Sequence, residues 1–113
     1  MDKFDFFEYQ NGNSKILEWR NRESPHWRLL NGSAVEALAL IEDESIDCVV
    51  TSPPYFWLRD YKVEGQIGLE SCVDGYIVNL TEVMRLIRKK LKPTGVLFLN
   101  LGDTYYSGKG QPK

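Results

Sequence analysis

The sequence predicts an α/β domain built around a mainly parallel sheet with flanking helices. Strand-like and helix-like segments alternate in the order strand, helix, strand, helix, strand. The last two strand-like segments, residues 46–51 and 96–101, are almost continuously apolar, which is typical of strands covered on both faces. Helical crossovers between such strands predict right-handed, parallel connections. Three strands cannot cover their own faces and edges, so we expect the chain to be part of a larger domain.

The N-terminal elements show weaker patterns. Residues 1–24 are an aromatic and polar extension of uncertain structure, in which Asn-Gly-Asn-Ser at residues 11–14 predicts a turn. Residues 27–30 predict a short strand. Ser33 and Glu36 then match a capping box, which predicts the start of a helix. The buried side of that helix is expected to carry Ala34, Leu38 and Ile41.

The second helix has the clearest pattern. Its apolar residues recur at helical spacing: they are Tyr76, Ile77, Leu80, Val83, Met84, Ile87 and Leu91. Asp74 near its start and three consecutive bases at residues 88–90 suit the helix dipole. Pro93 and Gly95 are expected to end the helix before the strand at residues 96–101.

Length and composition restrict the class of protein. The chain has 113 residues, of which 42% are hydrophobic and 27% charged, so we expect one small folded domain rather than a disordered segment. No apolar run is long enough to cross a bilayer, and the mixed, acidic N-terminus lacks the features of a signal peptide. Cys48 and Cys72 alone cannot build a disulfide framework or a zinc site. The expectation is a reduced, intracellular, soluble protein without a metal centre.

Charge is distributed unevenly along the chain. Residues 31–74 carry nine acids and two bases, whereas residues 75–113 carry two acids and seven bases. This asymmetry excludes a uniformly basic nucleic-acid binder but not a basic face. The basic residues fit either a solvated helix face, which the charge pattern favours, or a face that contacts phosphates.

Two loops follow the predicted buried strands. Ligands of open α/β sheets bind beyond the carboxyl ends of the strands, so residues 51–57 and 101–106 are candidate site loops. Pro53 and Pro54 remove two backbone donors and leave carbonyl acceptors beside the Tyr55 ring. Such a rim suits a flat ligand that bears an amino group and stacks on the aromatic ring. A simple proline turn with aromatic core residues fits the same pattern.

Thr-Ser-Pro-Pro-Tyr at residues 51–55 resembles the (Ser/Asn/Asp)-Pro-Pro-(Tyr/Phe/Trp) catalytic motif of amino-methylating DNA methyltransferases. Further segments resemble the same family in the same order, and they are residues 31–33, 43–47, 58–61, 64–70, 91–95 and 99–105. Together the resemblance covers roughly residues 28–106, which is most of the chain.

The resemblance implies a Rossmann-like fold that binds S-adenosylmethionine, and a DNA base that is flipped out and methylated on its exocyclic nitrogen. The catalytic residues that it implies are Ser52, Pro53, Pro54 and Tyr55. The cofactor contacts that it implies are Gly32 and Ser33. Asp103 ends a predicted buried strand on the ligand side, so we expect it either to contact the cofactor or substrate or to cap a loop. Hydrogen bonds from the amine to Ser52 and to the Pro53 carbonyl would favour a more nucleophilic nitrogen. Ser in place of Asp in the motif favours cytosine N(4) over adenine N(6).

The sequence departs from the family in three places. Ser33 stands where an acidic residue is common, and Phe-Trp at residues 56–57 stands where Trp-Gly is frequent. No Phe-x-Gly-x-Gly cofactor loop occurs, and in the permuted branch that loop lies C-terminal to the motif. We therefore expect an N-terminal portion of such an enzyme, inactive in isolation. The predicted boundaries are an extension at 1–24, a catalytic-motif portion at 25–106, and a polar tail or the start of a missing segment at 107–113.

The resemblance also implies partners and a location. DNA is the expected partner, with a cognate restriction endonuclease as a further one, in a bacterial, archaeal or phage-encoded cytoplasmic system without membrane association. One alternative is a truncated, catalytically silent module that binds nucleic acid through Arg85, Arg88, Lys89, Lys90 and Lys92. Another is methylation of RNA or of a protein amide.

Single residues outside the motif carry weaker expectations. His26 is expected to be a packed or surface residue, because it stands between Pro25 and Trp27. Arg59 is expected to form a loop ion pair with Asp60 rather than to contact DNA.

Overall fold

The computed structural model describes residues 3–102 of the chain, in two compact units that divide between Glu42 and Asp43. The N-terminal unit is a three-stranded antiparallel sheet followed by a short helix. Its elements are β1 (Phe4–Asn11), β2 (Ser14–Asn21), β3 (Arg28–Asn31) and α1 (Ala34–Leu38). The strands are hydrogen-bonded in the order β1-β2-β3.

The stretch that the sequence left unassigned is a β-hairpin. Asn11 pairs with Ser14 across the turn, and Gly12 has a φ of +59°, so the predicted turn is confirmed. Aromatic pairs bridge the strands on one face: the ring centroids of Phe6 and Trp19 lie 5.3 Å apart. Such cross-strand pairs stabilise an antiparallel ladder.

The strand predicted at residues 27–30 exists, but its place in a parallel sheet was predicted wrongly. β3 pairs antiparallel with β2, and Leu29 lies opposite Trp19. Only residues 22–27 separate β2 from β3, and a parallel pairing needs a crossover of a dozen residues or more. The parallel sheet therefore lacks the first of its three predicted strands among residues 3–102.

Helix α1 differs from its predicted form. Ser33 occupies the N-cap position, but its side chain makes no capping hydrogen bond, so the predicted capping box with Glu36 does not form. Ser33 and Ala34 are exposed, and water can satisfy the free N–H groups there. Leu38 and Ile41 are half-buried, so the predicted buried side is realised only in part.

A buried carboxylate lies within the N-terminal unit. Glu18 is 0% exposed and accepts hydrogen bonds from the Arg28 guanidinium, from Arg20 Nε at 3.0 Å and from the Tyr9 hydroxyl at 2.9 Å. Burial alone raises the pKa of Glu18, but the hydrogen bonds from Arg20, Arg28 and Tyr9 outweigh it and hold the pKa below its usual value. Because an unpaired buried charge is costly, this cluster links the strands that carry it.

The C-terminal unit packs one helix against a two-stranded parallel sheet. Its elements are β4 (Ile46–Thr51), α2 (Val73–Lys90) and β5 (Leu91–Leu99), and β4 pairs with β5 in parallel. The predictions of β4 and α2 are confirmed. The buried apolar residues of α2 are Leu80, Val83 and Ile87, all members of the predicted apolar stripe.

The junction between α2 and β5 corrects a prediction. β5 starts at Leu91, directly after the helix, and contains both Pro93 and Gly95, which were expected to separate helix from strand. The pairing of β4 with β5 shifts register between Ile46 and Cys48. An irregularity of this kind accommodates a proline, which cannot donate to the ladder.

One face of the parallel sheet is uncovered in the described part of the chain. The register places Val50 beside Phe98 on this face, and these residues are 78% and 60% exposed. Cys48 and Val96 form the neighbouring pair and are exposed as well. The expectation that both faces are covered is therefore not met within residues 3–102.

Three smaller observations concern the described residues. Cys48 and Cys72 are free and exposed. His26 is exposed, as expected of a surface residue. No helix among residues 3–102 is long and apolar enough to cross a membrane.

Candidate active site

The predicted catalytic motif leaves the parallel sheet at its carboxyl end. The Asn100 N–H donates to the Thr51 carbonyl at 3.0 Å, which closes the β4–β5 ladder, and the motif begins at the next residue. All four motif residues line one open pocket of about 180 Å³, and its lining residues are Ser52, Pro53, Pro54, Tyr55, Leu58, Arg59 and Tyr61. The structure thus brings together the four residues predicted to be catalytic.

The polar groups of the motif point to a shared space. Ser52 Oγ and the Tyr55 hydroxyl lie 3.5 Å apart, which is long for a hydrogen bond. Ser52 is exposed and Tyr55 half-buried. Both groups are therefore free to exchange this weak contact for a ligand, beside the face of an aromatic ring.

The backbone carbonyls of the motif differ in their hydrogen bonding. The Tyr76 hydroxyl donates to the Pro54 carbonyl at 2.8 Å, and the Leu58 N–H donates to the Tyr55 carbonyl at 3.4 Å. No donor among residues 3–102 contacts the Pro53 carbonyl. Within the described chain, Pro53 is therefore the proline of the motif whose carbonyl is left for a ligand.

A second segment folds back onto the motif. The Trp57 N–H donates to the Gly68 carbonyl at 2.6 Å, and Trp57 Nε1 donates to the Glu70 carbonyl at 2.7 Å. The Glu70 carboxylate in turn accepts from the Gly68 N–H at 2.9 Å. In the sequence, residues 64–70 stand out only through the family resemblance, and Tyr76 only as an apolar helix position. Their contacts with the motif were missed because no local pattern reports them.

Tyr76 is held as a hydrogen-bond donor by its surroundings. Burial raises the pKa of the Tyr76 hydroxyl, and the negative charge of Glu70 and the nearby Tyr55 hydroxyl raise it further. A raised pKa keeps the hydroxyl protonated at neutral pH. The hydrogen bond to the Pro54 carbonyl is therefore unaffected by changes of pH around neutrality.

The predicted ion pair between Arg59 and Asp60 is wrong. Asp60 Oδ2 lies 2.9 Å from Lys62 Nζ, and Asp60 Oδ1 accepts from the Lys62 N–H at 2.8 Å. These hydrogen bonds from Lys62 hold the pKa of Asp60 below its usual range. Both donors belong to a residue two positions away, so the carboxylate is used within its own turn. Arg59 lines the motif pocket instead.

A second open hollow of about 420 Å³ adjoins the motif on the uncovered side of the sheet. Its lining residues are Val50, Thr51, Ser52, Phe98, Leu99 and Asn100. Ser52 belongs to both hollows. A ligand in the second hollow would thus lie beside the side chain that faces the first.

The three residues predicted to contact the cofactor lie outside the described part of the C-terminal unit. Gly32 and Ser33 belong to the N-terminal unit. A Cβ on Gly32 would lie 2.9 Å from Ile16 Cγ1, which gives this glycine a packing reason of its own. Asp103 lies outside the described residues. All three remain predictions.

The basic end of α2 is partly neutralised within the protein. Lys90 is buried and its Nζ lies 2.6 Å from Asp43 Oδ1, whereas Lys89 Nζ lies 3.8 Å from Asp43 Oδ2. The hydrogen bond from Lys90 holds the pKa of Asp43 below its usual value. Arg85 and Arg88 line an open groove beside Asp43. These contacts favour a structural role for the two lysines. Lys89 lies on a solvated face as expected, whereas Lys90 is buried and does not.

Known DNA methyltransferases are similar to most of the chain. Residues 46–110, more than half of the chain, match the family model described as DNA methylase. The chain is 48% identical over 81 residues to the Type II methyltransferase M.SmaI of Serratia marcescens, a match that covers 72% of this chain and 28% of the relative. It is 42% identical over 83 residues to M.SfiI of Streptomyces fimbriatus, covering 74% of this chain and 20% of that protein. It is 45% identical over 84 residues to M.MwoI of Methanothermobacter wolfeii, covering 74% of this chain and 13% of that protein.

The matched part is a small share of each relative, because the chain spans less than a third of the length of these methyltransferases. No solved structure matches the chain. The matched residues include β4, the Ser-Pro-Pro-Tyr motif and α2, and the motif lines the pocket described above. The chain therefore belongs to the DNA methylase family of N6/N4 amino-methyltransferases.

Proposed function

We propose that this protein transfers a methyl group from S-adenosylmethionine to the exocyclic amino group of a base flipped out of DNA. The observation that carries the proposal is the Pro53 carbonyl, which no donor among residues 3–102 contacts, next to the Ser52 hydroxyl and the Tyr55 ring. Membership of the DNA methylase family supports the same reaction.

Methylation of an aromatic amine needs two hydrogen-bond acceptors for the N–H groups and one flat surface on which the base can stack. The lone pair of an aromatic amine is delocalised into its ring, so the amine is a weak nucleophile. Hydrogen bonds from its two N–H groups to Ser52 Oγ and to the Pro53 carbonyl favour a more tetrahedral nitrogen with a localised lone pair. Stacking on Tyr55 holds the extruded base in place and is worth roughly 1–3 kcal/mol. No cysteine lies in the motif, so methylation of cytosine carbon is not proposed.

The residues at the carboxyl end of the parallel sheet have the mixed apolar and polar character that suits the cofactor. Val50 and Phe98 offer apolar surface, and Asn100 offers a polar group at the strand ends, where open α/β sheets bind ligands. S-adenosylmethionine supplies a methyl group that is already activated by its sulfonium charge. Because Ser52 lines both hollows, it is the residue at which the amine and the methyl group would meet.

We further propose that the parallel pair β4–β5 is part of a larger, Rossmann-like sheet. The exposed pairs Val50–Phe98 and Cys48–Val96 support this, because a parallel sheet is normally covered by helices on both faces. The relatives are several times longer than the matched region. Further helices of such a domain would cover the exposed apolar face.

The target base and the biological partners follow from the motif and the relatives. Ser52 in place of an aspartate favours cytosine N(4), with adenine N(6) as the alternative. The relatives are named Type II methyltransferases, which supports DNA as substrate and a cognate restriction endonuclease as a partner in the cytoplasm. The alternative substrates, RNA and protein amides, have no feature of the described site in their favour.

The test is a methyl-transfer assay on the protein as encoded by its gene. Unmethylated DNA is incubated with tritium-labelled S-adenosylmethionine, digested to nucleosides and separated by chromatography. We expect label in N(4)-methylcytosine, and label in N(6)-methyladenine would change the base but keep the reaction. Label in 5-methylcytosine, or only in RNA or protein supplied in parallel, would overturn the proposal. Ser52→Ala is the matched variant, and its turnover should fall more than its cofactor binding.

A further inference from the structure

The motif offers two proline carbonyls in a row, and only one of them is engaged. The Tyr76 hydroxyl donates to the Pro54 carbonyl at 2.8 Å, whereas no donor among residues 3–102 contacts the Pro53 carbonyl. Proline has no N–H, so neither residue can donate a backbone hydrogen bond to a neighbouring acceptor. Two free acceptors side by side would let an amino group bind in two registers. The Tyr76 hydroxyl uses one lone pair of the Pro54 carbonyl, which leaves the Pro53 carbonyl as the freer acceptor of the two.

Tyr76 is fixed from the helix side. It lies in the first turns of α2 (Val73–Lys90), and its ring packs on Phe56 with centroids 5.5 Å apart. The helix is anchored through buried Leu80 and Val83, which belong to the core of its unit. The hydroxyl of Tyr76 therefore connects the motif loop to a rigid element rather than to another loop.

The neighbouring loop closes around the same point. Gly68 has a φ of +112°, and a Cβ there would lie 3.0 Å from the Tyr55 carbonyl and 3.3 Å from Pro54 Cβ. Only glycine combines this backbone conformation with this close approach. Gly68 in turn is held by the Glu70 carboxylate at 2.9 Å and by the Trp57 N–H at 2.6 Å. The Pro54 side of the motif is thus packed and hydrogen-bonded, and the Pro53 side is open.

We propose that Tyr76 is a positioning residue, which occupies the Pro54 carbonyl and so leaves the Pro53 carbonyl as the acceptor that sets the register of the target amine. Tyr76 does not touch the reacting atoms in this role. It makes the Pro53 carbonyl the freer acceptor and ties the motif loop to α2. The role rests on the proposed methyl transfer to an exocyclic amine.

The test uses Tyr76→Phe in the protein as encoded by its gene. This change removes only the hydroxyl and keeps the ring beside Phe56. Tyr9→Phe is the matched control, because it removes a hydroxyl that donates to Glu18 in the N-terminal unit. Turnover is measured per folded molecule, counted by the stoichiometry of cofactor binding. Base extrusion is followed by the fluorescence of 2-aminopurine placed at the target position of the DNA.

We expect kcat of Tyr76→Phe to fall about fivefold, the rate equivalent of one ordinary neutral hydrogen bond. The KM for the cofactor and the 2-aminopurine signal should stay at wild-type values, because stacking on Tyr55 and the cofactor hollow are untouched. Tyr9→Phe should keep wild-type kcat per folded molecule even where it lowers stability.

The experiment distinguishes a failure of the positioning role of Tyr76 from a failure of the proposed methyl transfer. Unchanged kcat in Tyr76→Phe, or an equal fall in Tyr9→Phe, overturns the positioning role while DNA methylation by the wild type keeps the proposed function. A loss of 2-aminopurine fluorescence in step with kcat also overturns it, because the hydroxyl would then act on base capture rather than on register. A wild-type protein that methylates no DNA overturns the proposed function and this role with it.

Discussion

Gly102 lies directly against the ring of Tyr55. A Cβ at residue 102 would overlap the ring carbons on one edge and lie 2.9 Å from Cζ. Gly102 follows β5, whereas Tyr55 follows β4, so the two loops that the sequence marked as candidate site loops meet at this contact. The position of the Tyr55 ring is therefore set by a residue outside the motif.

Gly102→Ala should push the Tyr55 ring out of place. Because the contact is with a ring rather than with a flexible chain end, we expect turnover to fall by about tenfold or more, with cofactor affinity little changed. Kinetics and 2-aminopurine fluorescence measure the two effects. Gly65→Ala is the matched control: no atom lies within 4 Å of the position that its Cβ would take, and its φ of +77° adds only backbone strain. Gly65→Ala should lower stability alone, and equal turnover losses in both variants would contradict the role of Gly102.

Substitutions of Tyr55 distinguish a base-stacking role of its ring from a core-filling role. Tyr55→Ala removes a stacking surface worth roughly 1–3 kcal/mol, so it should weaken base capture and turnover while cofactor affinity stays. Tyr55→Phe and Tyr55→Trp keep a stacking face and should retain much of the activity. The measurements are methyl transfer, cofactor affinity and melting temperature for each variant. If Tyr55→Ala lowers the melting temperature and activity falls only with the folded fraction, the ring fills the core instead.

The buried Glu18 carboxylate makes the free energy of unfolding depend on pH in the acidic range. Its hydrogen-bonded carboxylate has a pKa lowered from 4.5 in the folded state, so its stabilising contribution is complete above pH 4.5 and is lost as pH falls through the lowered pKa. Glu18→Gln should reduce the free energy of unfolding at pH 7 by about 1.5–3 kcal/mol and flatten its dependence below pH 4.5. Urea unfolding from pH 7 to pH 3 measures both. Glu8→Gln, at an exposed ion pair with Lys15, is the control and should change little. Parallel pH curves for Glu18→Gln and the wild type would contradict the assignment.

Substitutions of Lys89 and Lys90 test whether the basic end of α2 contacts DNA phosphates. Both pair with Asp43, so replacing them by Gln should lower stability but leave the salt dependence of DNA binding unchanged. If the two lysines instead neutralise phosphates, the slope of log K against log salt should become less steep by about 0.9 for each lysine replaced. Binding isotherms at several salt concentrations decide between these outcomes. The comparison variants on the same helix are Arg85→Gln and Arg88→Gln, because these two arginines line the open groove.

The 113-residue chain by itself should bind S-adenosylmethionine poorly and show no appreciable methyl transfer. The reasons are the uncovered sheet face at Val50 and Phe98 and the lack of a Phe-x-Gly-x-Gly segment in the sequence. Calorimetric titration of the isolated chain with the cofactor is the measurement. A dissociation constant in the low micromolar range would show that the hollow beside Ser52 suffices for binding.

Local patterns in the sequence determined much of the C-terminal unit. A β-branched apolar run predicted β4 (Ile46–Thr51), and helical periodicity predicted α2 (Val73–Lys90), because each pattern reflects one element meeting its own core. The two prolines after β4 marked the site loop, since proline chemistry is local to the backbone. The grouping of residues 52–55 in one pocket followed from their adjacency.

The tertiary structure alone decided the relationships between distant segments. The antiparallel pairing of β3 with β2 and the inclusion of Pro93 in β5 depend on partner strands that no local pattern specifies. The same holds for the Tyr76 hydroxyl on the Pro54 carbonyl and for Gly102 on the Tyr55 ring. A hydrogen bond or a van der Waals contact between residues far apart in sequence has no periodicity to report it, and it exists only once the chain has brought both ends together.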